Sequence, residues 1–74
     1  MNELNELKRM ILKALDELGN ASTDELISYL QSKSAMNATA VNIRRALSQL
    51  IREGVIAKIP DVRKKKFVLV IMRT

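Results

Sequence analysis

The chain has 74 residues, 13 Lys and Arg against 8 Asp and Glu, and neither cysteine nor histidine. A chain this short holds one core and buries about 60% of its unfolded surface, and the missing residue types exclude disulfides, thiolate nucleophiles, Cys-based zinc sites and the commonest general base. The longest uninterrupted apolar run, Phe67 to Met72, is strand-sized and far from the roughly 18 residues of a membrane span.

Charge divides the chain in two. Residues 37–74 carry nine Lys and Arg against two Asp and Glu, a net of +7, whereas residues 1–36 carry four against six, a net of −2. A polyanion is the natural partner of such a basic half, and nucleic acid is the one most often met by a small basic domain. Met1-Asn2-Glu3 is polar and acidic where a signal peptide needs basic and then apolar residues, so the expected location is the cytoplasm.

Asn2 to Leu18 spaces Leu4, Leu7, Ile11, Ala14, Leu15 and Leu18 at three- and four-residue steps, which predicts a helix with one buried stripe. Leu12 falls off that stripe and Met10 lies at its margin, and this surplus apolar surface has competing readings: a slightly apolar exposed face, cover by a partner subunit, or cover by Met1, Leu4 and Leu7 of the same chain. Lys8, Arg9 and Lys13, with Glu6, Asp16 and Glu17 near them, read as an ordinary solvated face. Gly19 supplies the left-handed stop.

Ser22-Thr23-Asp24-Glu25 is a capping box, and the helix it opens carries Leu26, Ile27 and Leu30 inward to about Ser32, with Tyr29 as a packing residue. Lys33 to Met36 forms a short turn. Asn37 is then placed to cap a third helix over 38–53, in which Ile43, Leu47 and Leu50 are buried and Asn37, Ala38, Val41, Asn42, Arg44, Arg45, Ser48, Gln49 and Arg52 share the opposite face. Gly54 ends it, with Val55 folding back on Leu50. Val55 to Ile59 and Phe67 to Met72 are rich in β-branched residues and flank Pro60-Asp61 and the run Arg63-Lys64-Lys65-Lys66, predicting a hairpin with a loop of about seven residues over 60–66. One long helix, two short helices joined by a turn, and a hairpin make a single α+β domain over 1–74, mainly helical.

This order resembles the winged-helix DNA-binding family over nearly all of the chain. The segment Asn42-Ile43-Arg44-Arg45-Ala46-Leu47-Ser48-Gln49-Leu50-Ile51-Arg52-Glu53-Gly54-Val55-Ile56 is similar to the stretch that leads from recognition helix to wing in many bacterial and archaeal repressors, through the spacing of Ile43, Leu47, Leu50, Gly54 and Ile56. The resemblance implies a winged helix-turn-helix fold, a third helix in the major groove bearing Asn37, Val41, Asn42, Arg44, Arg45, Ser48 and Gln49, and a wing touching backbone or minor groove through Arg63, Lys64 and Lys65. The chemistry of the residues points the same way. Arg44 or Arg45 suits guanine, Asn42 or Gln49 adenine and Val41 a thymine methyl, while Arg52 and the wing cations, Lys66 included, suit phosphates.

The expected function is therefore a sequence-preferring protein on double-stranded DNA, acting as a transcriptional regulator. A two-fold homodimer is expected through the first helix and the last strand, because Phe67 to Met72 is apolar on both strand faces and the chain ends without the extra dimerising helix of many relatives. Two rivals stand beside this reading: a winged helix used as a protein-interaction module of a larger complex, and a non-specific nucleoid or chromatin protein. No cofactor, metal site, membrane contact or small-molecule effector is expected, and no acid, serine or lysine is spaced to pair a nucleophile with a base, so no enzymatic activity is expected either.

Overall fold

The structure, a computed structural model, describes residues 3–33 and 38–72. Three helices, α1 (Glu3–Leu18), α2 (Thr23–Ser32) and α3 (Ala40–Arg52), precede an antiparallel hairpin of β1 (Ile56–Asp61) and β2 (Lys66–Ile71). This is the mainly helical α+β layout of a winged helix-turn-helix.

α1 is the central element, in contact with α2, α3 and β2. Leu7, Ile11, Ala14 and Leu15 are buried along it. Because three elements pack around it, its covered surface is wider than one stripe: Met10 and Leu12, expected as surplus, are half-buried against the core of this same chain. Leu18, expected inside, is 42% exposed. Lys8 is not solvated either; its Nζ lies 3.0 Å from Glu53 Oε2 and fastens α1 to the end of α3.

The capping box of α2 is formed in full. Ser22 Oγ accepts from the Glu25 amide at 3.2 Å, and Glu25 Oε1 accepts from the Ser22 amide at 2.9 Å. Leu26, Ile27 and Leu30 enter the core. Tyr29 packs half-buried against that core and donates its hydroxyl to Glu17 at 2.6 Å, a bond that raises the phenol above its ordinary pKa.

α3 starts later than its sequence suggests. Its cap is Thr39, extended at φ −78° and ψ 154°, with Oγ1 accepting from the Asn42 amide at 3.1 Å. Ala38, expected on the outer face, is buried instead, and its carbonyl accepts from Gln31 Nε2 at 3.1 Å. Packing Ala38 inward delays the first helical turn by two residues and hands the cap from Asn37 to Thr39; Asn37 itself lies outside the described residues. At the other end Gly54 (φ +79°) donates to the Ile51 carbonyl and Val55 to that of Leu50, the paired bonds of a glycine-terminated helix.

The hairpin pairs Ile56 with Ile71 through to Asp61 with Lys66, so Pro60 lies within β1 and the loop is Val62 to Lys65, shorter than the seven residues expected. Asp61 causes the difference: its Oδ1 accepts from the amides of Arg63 and Lys64 at 3.0 and 3.2 Å and closes the turn at once. Ala21 bridges the outer edge of β2 through reciprocal bonds with Leu69. Leu69 thus spends its backbone groups on Ala21, which makes Lys58–Leu69 a non-hydrogen-bonded pair and, two residues on, Pro60–Phe67 another. The donor that Pro60 lacks falls on the free edge of β1, where proline is tolerated and discourages further pairing. Ile56 and Leu69 reach the core from one face, and Val68 is buried from the other.

Candidate nucleic-acid interface

Successive residues of α3 turn by about 100°, and its buried arc runs through Ile43, Ala46, Leu47 and Leu50. Opposite that arc the crest is formed by Val41, Arg45, Ser48 and Arg52, all exposed. Arg44 and Ile51 flank the crest on the side of the hairpin, and Asn42 and Gln49, both half-buried, flank it on the side of Glu53 and α1. Val41 is 66% exposed, an apolar contact held out at the most prominent line of the helix.

The wing presents Arg63, Lys64, Lys65 and Lys66, all exposed. Lys65 has φ +56°, a left-handed conformation that costs an L-residue about 1 kcal/mol relative to glycine. The turn therefore carries some strain to hold a cation at its tip.

Two acids that the sequence shows only as a helix start join these surfaces. Asp24 Oδ1 is 3.9 Å from an Arg44 guanidinium nitrogen, while the oxygens of Glu25 lie 3.7 Å from Lys64 Nζ and 3.5 Å from Lys66 Nζ. Adjacent residues in the first turn of α2 thus reach both the third helix and the wing, which places the two basic elements side by side. The Ser22 amide is the largest influence holding the Glu25 carboxyl below its ordinary pKa; partial desolvation opposes it, and Lys64 and Lys66 add to it. Among the described residues Arg45, Arg52, Arg63 and Lys65 have no carboxylate within salt-bridge distance.

No family model, curated protein or solved structure matches this chain. Its likeness to winged helices is one of element order and packing.

Between α3 and the hairpin runs an open cleft of about 230 Å³, lined by Thr23, Arg44, Leu47, Ser48, Ile51, Lys58 and Leu69. Lys58 is absent from the residues the sequence singles out. Its ammonium stands 5.3 Å from the centre of the Phe67 ring, which is itself 55% exposed. The signal that finds Lys58 is register: on a strand, alternate residues share a face, so Lys58 stands on the same face as buried Ile56. Among the described residues no group of acids could hold a metal ion and no helix is long and apolar enough to cross a membrane.

Proposed function

We propose that this protein binds double-stranded DNA with a preference for sequence, places α3 in the major groove and the wing on the backbone or adjacent minor groove, and regulates transcription by occupying promoter DNA at the nucleoid. The observation that carries this reading is the adjacency of two basic surfaces: neighbouring acids in the first turn of α2 pair with Arg44 on the flank of α3 and with Lys64 and Lys66 of the wing, beside a crest on which Val41, Arg45, Ser48 and Arg52 are exposed. Arg45 and Ser48 have the donors and acceptors to read base edges and Val41 the apolar surface for a thymine methyl. Arg52, Arg63 and Lys65 are long cations with no carboxylate partner among the described residues and suit phosphates. A two-fold homodimer through α1 and the end of β2, where Met72 is 55% exposed and Val70 and Ile71 are half-buried, would set two recognition helices on half-sites about one turn apart.

Selection of bound sequences from a random duplex pool, followed by titration of the selected site against salt, tests the reading. Neutralising about 4–6 phosphates per subunit gives a log–log salt slope of roughly −4 to −5. Recovery of no common sequence together with equal affinity for all duplexes transfers the protein to non-specific packaging. Affinity that hardly responds to salt removes DNA altogether.

One observation favours a protein partner instead. Val62 is 87% exposed, Phe67 55% and Ile59 42%, so the hairpin carries apolar side chains that a wing lying on phosphates does not need.

A further inference from the structure

A helix in the major groove and a wing beside it must straddle the sugar-phosphate strand that separates the two grooves. On the DNA-binding reading that strand crosses the cleft between α3 and the hairpin. The cleft is furnished for it: Arg44 on the α3 wall and Lys58 on the β1 wall bring cations from opposite sides, Thr23 and Ser48 bring hydroxyls, and Leu47, Ile51 and Leu69 complete the lining. Lys58 does not hang free, since its ammonium rests over the Phe67 ring, and Phe67 stands on the same strand face, diagonal to it in the register. The acid in reach is Asp24, 3.9 Å from Arg44 and itself 92% exposed along its side chain, an open pair that a phosphate can replace.

We propose that this cleft seats one phosphodiester group of the DNA backbone, gripped between Arg44 and Lys58 and hydrogen-bonded by Thr23 and Ser48, with Phe67 positioning Lys58. The seat assigns Arg44 and Ser48 to the backbone and leaves base reading to Arg45, with Val41 beside it. A phosphate held here sets the depth and register of α3 in the groove, although it carries no base information itself.

The experiment uses the full chain and a short fluorescein-labelled duplex carrying its selected site, with binding followed by anisotropy against salt. Arg44→Ala and Lys58→Ala should each weaken binding roughly five- to tenfold near 0.1 M salt and make the salt slope shallower by about 0.9, alike on every sequence. Phe67→Leu should weaken it roughly two- to fivefold through the lost ring contact, and Lys13→Ala, on the exposed face of α1, should change nothing. A scan of duplexes with single phosphates replaced by neutral methylphosphonates then locates the seat. One replacement should weaken the wild type by more than it weakens Lys58→Ala, where only the Arg44 side of the grip is left to lose, so that the two losses fail to add. Full additivity at every phosphate, or an altered base preference in Arg44→Ala, overturns the seat while leaving DNA binding in place. Absence of salt-dependent binding by the wild type overturns the DNA reading and the seat together.

Discussion

Glu25 lies between two lysines of the wing and so competes with the phosphates those lysines would meet. Glu25→Gln isolates that competition, because glutamine keeps the reciprocal bond to the Ser22 amide that closes the capping box and removes only the charge facing Lys64 and Lys66. The pairs are exposed and weak as contributors to stability, so thermal unfolding of the variant should fall only slightly below that of the wild type near neutral pH, by the small contribution of the ionised carboxylate. DNA affinity should rise. Releasing about one effective cation adds roughly 0.9 to the magnitude of the log–log salt slope, which at 0.1 M salt is about an eightfold gain in affinity that fades toward 1 M. Anisotropy titrations of both proteins on one duplex across a salt series measure the gain and its slope together. Equal affinity and slope would show that the lysines never meet DNA. A weaker complex would mean that Glu25 serves to hold the wing in place, and the competition argument would be refuted.

Arg45→Ala should cost about 1–3 kcal/mol on the preferred duplex and relax base preference, whereas Lys65→Ala should weaken all duplexes alike; the two are compared by repeating the sequence selection with each variant. Gly54→Ala meets no atom within 4 Å of the added carbon, so its cost is the left-handed backbone alone, about 1 kcal/mol by urea unfolding. Glu25 also makes folding stability depend on acid: its folded pKa is lowered, so its contribution is complete above the ordinary value of 4.5 and disappears as pH falls through the lower folded value. Glu25→Gln should flatten that part of a stability–pH curve measured by urea midpoint. Sedimentation equilibrium at micromolar concentration should give twice the chain mass, and Met72→Glu should return it to the monomer; a wild-type monomer removes the homodimer.

Features whose physics is local were legible from residue order. The capping box needs only Ser22 and Glu25 three residues apart, and the stop of α3 needs only Gly54 followed by an apolar Val55, so both were readable without knowledge of the rest of the chain. Errors arose where packing chose between locally equivalent options. Asn37 and Thr39 both offer a capping oxygen, and the choice depends on whether Ala38 points outward or into the core; it is buried. Pro60-Asp61 reads as a turn, yet the free edge of β1 accepts the proline and Asp61 makes the turn just beyond it. The apolar surplus had the same origin. Leu12 looks unpartnered on a lone helix but is covered once α1 is surrounded, and Val68 is buried in a strand that seemed to need an outside cover. Among the described residues the large apolar side chains left exposed lie more on the hairpin, at Ile59, Val62, Phe67 and Met72, than on the first helix, which together with the last strand is where the dimer was expected.

Net charge by segment misleads for a related reason. The acidic and basic halves look like separate fields in sequence, but the fold places the first turn of α2 between the basic helix and the basic wing. Asp24 then screens Arg44, and Glu25 screens Lys64 and Lys66. The field a DNA duplex would meet is therefore smaller than +7 and is concentrated on Arg45 and Arg52 along the helix crest and Arg63 and Lys65 at the wing. Those four positions are separated by the cleft that Lys58 overlooks. If the proposed interface meets DNA, its initial attraction comes from the unscreened cations and its final grip from cations that must first leave a carboxylate. The second step is weaker than a count of basic residues implies, and it favours only a surface dense enough in phosphate to replace two acids at once.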